Sequence, residues 1–207
     1  MSELILTTYD WVPEVPRGYV RDLRVRWALE EAGLPYRVET TPFKDRGPDH
    51  LAHHPFAQVP YIKDGDQVVF ESGAILIYLA EKSGKFLGDS TRQRAHIIQW
   101  LMFQMGGVGP MFGQLGYFYK FAGSEIEDPR PRERYINEAK RLLAVMEKQL
   151  DGQDWIAGPY SIADMALAPW VRALNFYGAT EVVGLPDSPN TLAWLERFAA
   201  RPAGQTG

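Results

Sequence analysis

The sequence predicts two domains, an α/β domain at the N-terminus and an all-helical domain after it. Short β-prone runs occur only before residue 71, and there they alternate with segments of helical periodicity. From Thr91 onward the strand signals vanish, and long segments with apolar residues at helical spacing follow. At 207 residues the chain is long enough to bury a core without disulfides or metals.

A βαβ unit opens the first domain. Residues 4–9 and 36–40 are β-prone runs, and each predicts a strand. Residues 10–18 contain two prolines and a glycine, which indicates a loop. From Asp22, apolar residues recur at helical spacing until Gly33, and this pattern predicts the helix that connects the two strands.

A hairpin and a last helix complete the first domain. A helical turn precedes two β-prone runs, 59–63 and 67–70, which Asp64-Gly65 separates. An Asp-Gly pair between such runs is a strong hairpin signal, and Ser72 then begins a helix. This element order is that of a thioredoxin-like domain, whose limits we place at residues 1–82.

The second domain follows a linker over residues 83–90. Helical periodicity predicts an all-helical domain over residues 91–207, with long helices at 93–105, 131–150, 161–174 and 191–199. Ser161 and Asp164 have the spacing of a capping box, in which each side chain bonds the backbone N–H of the other residue. We therefore expect this pair to begin the third helix, in a structural role.

Composition argues against several classes of function. The formal net charge of −4 and the pI near 5.6 give no basic field for a phosphate backbone, so nucleic acid is not an expected partner. No apolar run approaches the roughly 20 residues that span a bilayer, and the first residues lack the features of a signal peptide. We therefore expect a cytoplasmic protein with no membrane partner.

The chain contains no cysteine. A disulfide framework, a cysteine zinc site and a thiolate nucleophile supplied by the protein are therefore excluded, and any thiol chemistry must use the sulfur of a ligand. The four histidines form no second cluster with ligand spacing. We expect no metal site, and we interpret the histidines as solvated residues of loops and helix ends.

Two short segments of the first domain carry the candidate binding residues. A cis Val59-Pro60 bond would leave the backbone of Val59 free to pair with a peptide-like ligand, whereas a trans proline would simply open an edge strand. Ser72 stands at a helix N-terminus, which attracts a carboxylate, and Glu71 is placed to accept from an ammonium group. A capping serine beside a solvated acid explains either residue singly.

Taken together, Gln58-Val59-Pro60 and Glu71-Ser72-Gly73-Ala74 resemble the glutathione-site motifs of the cytosolic glutathione transferases. The resemblance extends over essentially the whole chain, and it is greatest to a bacterial Nu-class-like branch. The segments that carry this second likeness are Gln99-Trp100-Leu101, Gln104-Met105-Gly106-Gly107, Gly109-Pro110-Met111, Glu133-Arg134-Tyr135 and Arg201-Pro202-Ala203.

The resemblance implies which residues would hold glutathione. The backbone of Val59 would pair with the cysteinyl part, Glu71 and Ser72 would hold the γ-glutamyl group, and Gln58 would contact the glycyl end. In the related branch, an arginine at the place of Arg134 reaches glutathione across a dimer interface, so the resemblance also implies a homodimer. A solvated helix arginine is the alternative interpretation of Arg134.

The residue that would contact the glutathione sulfur is left open by the sequence. A thiol is a poor nucleophile until it ionises, so a donor or a cation must lie near the sulfur. Family enzymes use a tyrosine, serine or cysteine shortly after the first strand, but here that loop is longer. Tyr19 is nearest when counted back from the helix, and Tyr9 when counted forward from the strand. Arg21 and the backbone N–H groups of the helix start are further candidates, and packing roles are the alternative for both tyrosines.

The resemblance therefore implies a glutathione transferase-like enzyme with glutathione as its cosubstrate. The enzyme would activate the thiol for conjugation to small hydrophobic electrophiles, as in detoxification, or for reduction of a disulfide or peroxide. A glutathione-dependent isomerase or dehalogenase and a noncatalytic glutathione- or ligand-binding protein are the alternatives. Candidates for a second-substrate pocket, or else for core or dimer contacts, are Phe112, Tyr117, Phe118, Tyr119 and Phe121.

Overall fold

A computed structural model describes residues 3–14 and 17–203. The chain forms two compact units: one contains the described residues up to Leu87, and the other begins at Gly88. None of the helices in the described part of the chain is long and apolar enough to cross a bilayer.

The first unit has the predicted order of strands and helices. Its elements are β1 (Leu4–Tyr9), α1 (Asp22–Ala32), β2 (Tyr36–Thr41), α2 (Pro48–His53), β3 (Tyr61–Asp64), β4 (Gln67–Phe70) and α3 (Ser72–Ser83). The sheet order is β2-β1-β3-β4, in which β1 pairs with β2 in parallel and the remaining pairs are antiparallel. The thioredoxin-like prediction is therefore confirmed. Strand β3 begins two residues later than expected, at Tyr61, because Pro60 has no N–H to donate to a ladder.

The core of this unit lies between one face of the sheet and helices α1 and α3. Leu6 of β1, Val25 of α1 and Ile75 of α3 are all fully buried there, and each such side chain contributes about 1.5–3 kcal/mol through burial. Alternate residues of a strand point to opposite faces. Thr7 accordingly lies on the other face, where it lines a cavity of about 460 Å³ together with residues of α2.

The regular elements described in the second unit are all helices. Its α-helices are α4 (Thr91–Phe103), α5 (Gly109–Tyr119), α6 (Arg130–Gln149), α7 (Ile162–Tyr177), α8 (Thr180–Val183) and α9 (Pro189–Ala199). A π-helical turn, Gln104–Val108, joins α4 to α5 without a break. The four predicted helices are present as α4, α6, α7 and α9, with ends that differ by up to three residues. Helices α5 and α8 are additions to the prediction.

The capping box at the start of α7 is confirmed. The Ser161 hydroxyl accepts from the backbone N–H of Asp164 and from that of Ala163, and the Asp164 carboxylate accepts from the backbone N–H of Ser161 at 3.0 Å. Asp164 also accepts from the backbone N–H of Ile156 at 3.0 Å and from Trp194 Nε1 at 2.8 Å. One buried carboxylate therefore ties α7 to the preceding loop and to α9.

Candidate functional site

The backbone just before strand β3 has an unpaired residue. The Val59–Pro60 peptide bond is cis, the first of the two alternatives considered for this proline. Val59 is only 5% exposed, yet within residues 3–14 and 17–203 its backbone N–H and C=O find no hydrogen-bond partner. Because buried backbone groups are nearly always paired, this residue can accept an extended, peptide-like ligand.

The loop that leads to Val59 is held by residues that precede it in the chain. Arg46 Nη1 donates to the carbonyl of Ala57, and His50 Nε2 donates to the carbonyl of Gln58 at 2.9 Å. The backbone N–H of Ala57 donates to the carbonyl of His54 at 2.8 Å. Ala57 has a φ of 52°, which residues with a side chain seldom adopt. These contacts fix the direction in which the loop enters Val59.

Glu71 and Ser72 form the start of helix α3. Glu71 is the N-cap residue and has φ 70° and ψ 120°, a sparsely populated conformation that costs about 1–3 kcal/mol. Its side chain makes no capping hydrogen bond, and Ser72 is buried at the first helical position. Strained residues of this kind concentrate at ligand sites, and the N–H groups of a helix start attract a carboxylate. The pair thus offers one negative and one positive binding element side by side.

Arg21 and Gln58 are brought together by the fold. Arg21 is the N-cap residue of α1, and its Nη1 donates to Gln58 Oε1 at 3.2 Å. Both side chains are exposed. A cation from the start of α1 therefore lies beside the residue that precedes Val59.

The two candidate tyrosines have different surroundings. Tyr9 ends β1, where its hydroxyl accepts from Arg46 Nη2 at 2.9 Å and its ring packs edge-on against Phe43. Tyr19 lies in the turn ahead of α1 and is partly exposed. A cavity of about 240 Å³ separates the end of β1 from the start of α1, and Tyr9, Gly18 and Asp22 are among its lining residues. Which residue contacts the sulfur stays a prediction.

Comparison with known proteins gives the family. The model of the glutathione S-transferase N-terminal domain matches residues 6–81, and that of the glutathione S-transferase C-terminal domain matches residues 112–197. The disulfide-bond oxidoreductase YfcG of Escherichia coli is 42% identical over 199 residues, which cover 91% of this chain and 88% of YfcG. The chain belongs to the glutathione S-transferase family.

Solved structures of this family are similar over nearly the whole chain. A glutathione transferase family member from Pseudomonas fluorescens, crystallised with two glutathione molecules, is 47% identical with a TM-score of 0.88; the match covers 98% of this chain and 90% of that one. A glutathione transferase from Pseudomonas putida, crystallised with one glutathione disulfide per subunit, is 42% identical with a TM-score of 0.90; the match covers 99% of this chain and 90% of that one.

The remaining predicted residues lie in the helical unit of this glutathione S-transferase. Arg134 is exposed on α6. The pKa of the nearby Glu138 is lowered, mainly by a hydrogen bond from Arg141 and to a smaller extent by the positive charge of Arg134. Its contact with glutathione stays a prediction. Among the aromatic residues of α5 and the segment after it, Phe112 is fully buried, whereas Tyr117 and Phe121 are about 40–45% exposed. Phe112 is thus a core residue.

The prediction that the histidines are solvated is wrong for two of them. His50 and His54 are 6% and 2% exposed, because α2 lies against the sheet and turns both rings inward. The rings are parallel, 6.3 Å apart, and burial lowers the pKa of both. The described residues contain no group of three or more His, Asp or Glu placed to hold a metal ion.

Arg46 and His50 are the residues near the site that sequence reasoning missed. Both bond carbonyls that lie eight to eleven residues further along the chain, a contact that no local pattern indicates. The spacing of four residues between Arg46, His50 and His54 would suggest one side of a helix, but α2 covers only Pro48–His53, so of the three only His50 is a helical residue.

Proposed function

We propose that this chain binds glutathione in its first unit and activates the glutathione thiol for reduction of a disulfide or peroxide, or for conjugation to an electrophile. The observation that carries the proposal is the unpaired backbone of Val59 in the same unit as the strained Glu71-Ser72 helix start. Membership of the glutathione S-transferase family supports it independently.

Each part of glutathione has a partner of matching chemistry in this proposal. The backbone of Val59, which precedes Pro60, pairs with the cysteinyl residue. Gln58, which is hydrogen-bonded by Arg21, contacts the glycyl end. The α-carboxylate of the γ-glutamyl group binds the N–H groups and hydroxyl at Ser72, and its ammonium binds the Glu71 carboxylate. The thiolate is stabilised by Tyr19, Tyr9, Arg21 or the backbone N–H groups at the start of α1.

Disulfide reduction is the branch we favour, because YfcG is named a disulfide-bond oxidoreductase and the Pseudomonas putida relative holds glutathione disulfide. The glutathione thiolate attacks one sulfur of the substrate disulfide, and the other sulfur leaves as a thiol after it takes up a proton. A second glutathione thiolate attacks the mixed disulfide, which yields glutathione disulfide and the second thiol. No protein cysteine is required, in agreement with the sequence.

The proposal includes a homodimer and a cytoplasmic location. In a homodimer, Arg134 would approach the glutathione of the partner subunit. A cytoplasmic location would supply the reducing glutathione pool that the disulfide branch consumes. Size-exclusion chromatography with light scattering tests the first point, and fractionation of the source cells tests the second.

A two-substrate assay tests the proposed function. Purified protein is given reduced glutathione with a small dialkyl disulfide, with cumene hydroperoxide or with an aryl chloride electrophile, and formation of glutathione disulfide or of the aryl thioether is followed. We expect turnover with the disulfide to exceed that with the electrophile. Glutathione binding without turnover on any substrate would favour the noncatalytic binding protein instead.

A further inference from the structure

Two consecutive carbonyl groups ahead of Val59 are both bonded by side chains of one short segment. Arg46 bonds the carbonyl of Ala57 and His50 bonds that of Gln58, and the two donors are four residues apart. We propose that Arg46 and His50 form a carbonyl clamp that holds the Val59 backbone ready for glutathione, which makes them positioning residues of that site. The inference rests on the proposed glutathione binding.

Arg46 joins three parts of the first unit. Besides its bond to Ala57, its Nη2 donates to the carbonyl of Phe43 at 2.6 Å and to the Tyr9 hydroxyl at 2.9 Å, and its guanidinium lies 4.8 Å from the centre of the Tyr9 ring. The planar guanidinium suits this role, because its donors point in fixed directions that a lysine cannot reproduce. Arg46 thus fixes the loop relative to the end of β1.

His50 acts as a neutral donor. A carbonyl can only accept, so the 2.9 Å contact places the ring proton on Nε2. The other ring nitrogen, Nδ1, is buried, and it has no hydrogen-bond partner within the part of the chain that the structure describes. Burial lowers the pKa of His50, in agreement with a ring that stays uncharged. Among the described residues, the hydrogen bond that the His50 ring makes is therefore the one to the residue before Val59.

The clamp has a consequence for affinity. Pro55, Phe56 and Gln58 are exposed, so packing alone does not order this loop. If the loop were not held in the free protein, glutathione would have to order it on binding, and affinity would fall by that cost. Loss of one neutral hydrogen bond of the clamp is expected to weaken glutathione binding about three- to tenfold.

Substitutions at His50 separate the hydrogen bond from packing. His50→Gln keeps an N–H donor near the position of Nε2, whereas His50→Met fills similar space without a donor. We expect calorimetry with reduced glutathione to show a dissociation constant about three- to tenfold higher for His50→Met and within twofold of wild type for His50→Gln. Arg46→Lys keeps the charge but loses the fork, and should weaken binding by at least as much as His50→Met.

His53→Met is the matched control. His53 lies on the same helix, but its Nδ1 contacts the carbonyl of Asp49 within its own helix, so its loss should leave binding unchanged. In the disulfide assay, the clamp predicts a raised KM for glutathione in His50→Met with kcat within twofold of wild type. Equal weakening in His50→Gln and His50→Met, or no weakening in His50→Met, would overturn the clamp.

A measurement without ligand separates the clamp from the proposed function. Amide ¹⁵N relaxation of Ala57, Gln58 and Val59 is expected to show greater mobility in His50→Met than in wild type, His50→Gln or His53→Met. If wild type binds no glutathione but this difference in mobility is present, the proposed function fails and the clamp stands as a loop-ordering device. Unchanged mobility in His50→Met overturns the clamp whatever the binding result.

Discussion

The loop before Val59 and the loop before α7 show two different uses of buried polar side chains. In the first unit, Arg46 and His50 donate to consecutive carbonyls, and the next residue, Val59, is left with an unpaired N–H and C=O. In the helical unit, Asp164 accepts from Ile156, Ser161 and Trp194, and both carboxylate oxygens are used.

The difference separates binding from stability. A network that satisfies all of its members stabilises the fold but offers nothing to a ligand, because no donor or acceptor is left over. A network that bonds the two carbonyls before Val59 but not Val59 itself orders the loop and leaves the N–H and C=O of Val59 available to a ligand. Substitutions at Asp164 should therefore change unfolding, and substitutions around Val59 should change binding.

The largest effect is expected from Asp164→Ala. This change leaves the backbone N–H groups of Ile156 and Ser161 and the indole N–H of Trp194 without a partner at a position that is 0% exposed. Each buried unsatisfied donor costs about 1–3 kcal/mol, so we expect the free energy of unfolding to fall by about 3–5 kcal/mol. Urea denaturation followed by circular dichroism measures it.

Asp164→Asn is the matched control for that experiment. The amide oxygen can still accept from Ile156 and Trp194, so the loss should be about half of that in Asp164→Ala. A loss below about 1 kcal/mol in Asp164→Ala would contradict the stabilising role and would remove the contrast between the two loops.

The next effect concerns the first unit, where the proposed function places the glutathione sulfur near the start of α1. If Tyr19 donates to the thiolate, Tyr19→Phe should lower kcat about 100-fold, because one lost donor to a developing anion costs that much in related chemistry. The ultraviolet absorbance of bound thiolate, followed against pH, should show a raised thiol pKa. Unchanged rates with unchanged absorbance would exclude Tyr19 and leave Tyr9, Arg21 and the backbone of α1 as candidates.

The contribution of Asp164 to stability should decrease as the pH rises. Burial raises its pKa to about 6 from a usual 3.8, against the opposing effect of its hydrogen bonds. The folded state then holds the proton more tightly, so this contribution to stability is complete below pH 3.8 and is lost as the pH rises through about 6. Relative to Asp164→Asn, wild type should gain about 1 kcal/mol in total between pH 7 and pH 5. A gain on raising the pH would contradict this.

The contribution of His50 to stability should instead decrease as the pH falls, and the change in the free energy of unfolding should be smaller than at Asp164. Burial lowers its pKa from a usual 6.5, and the positive charges of Arg46 and His53 lower it further. His50 also lines the cavity beside Thr7, and the other charged residues there include Lys63 and Glu39, which form an ion pair with each other. The unfolded state then binds the proton more tightly, so stability is present above pH 6.5 and is lost as the pH falls below it. Wild type should lose stability relative to His50→Gln on acidification, and the difference in urea midpoint measures this.

The local patterns of the sequence predicted most of the fold. The βαβ order, the Asp64-Gly65 hairpin and the Ser161-Asp164 cap depend on neighbours in sequence, and the structure confirms all three. Helix α5 was not predicted because its glycines resemble helix breakers. Gly116 is there because a side chain would clash with the Tyr177 ring, only 2.5 Å from an added Cβ.

The candidate site could be predicted only in part, because some of its contacts join residues that are distant in the sequence. Val59, Glu71 and Ser72 stand in short motifs whose chemistry can be interpreted residue by residue. The side chains that hold the loop, Arg46 and His50, act on carbonyls that only the folded chain brings to them. The conformation of Glu71, with φ 70°, is likewise a property of the fold.

Glutathione binding itself tests the central claim most directly. Calorimetry is carried out with reduced glutathione and with glutathione disulfide on wild type and on Glu71→Ala/Ser72→Ala. We predict binding of at least one form by wild type, weakened about 100-fold or more in the variant, because the charge-assisted hydrogen bonds to the γ-glutamyl group are lost. No binding of either form by folded wild type, or equal binding by the variant, would contradict the account.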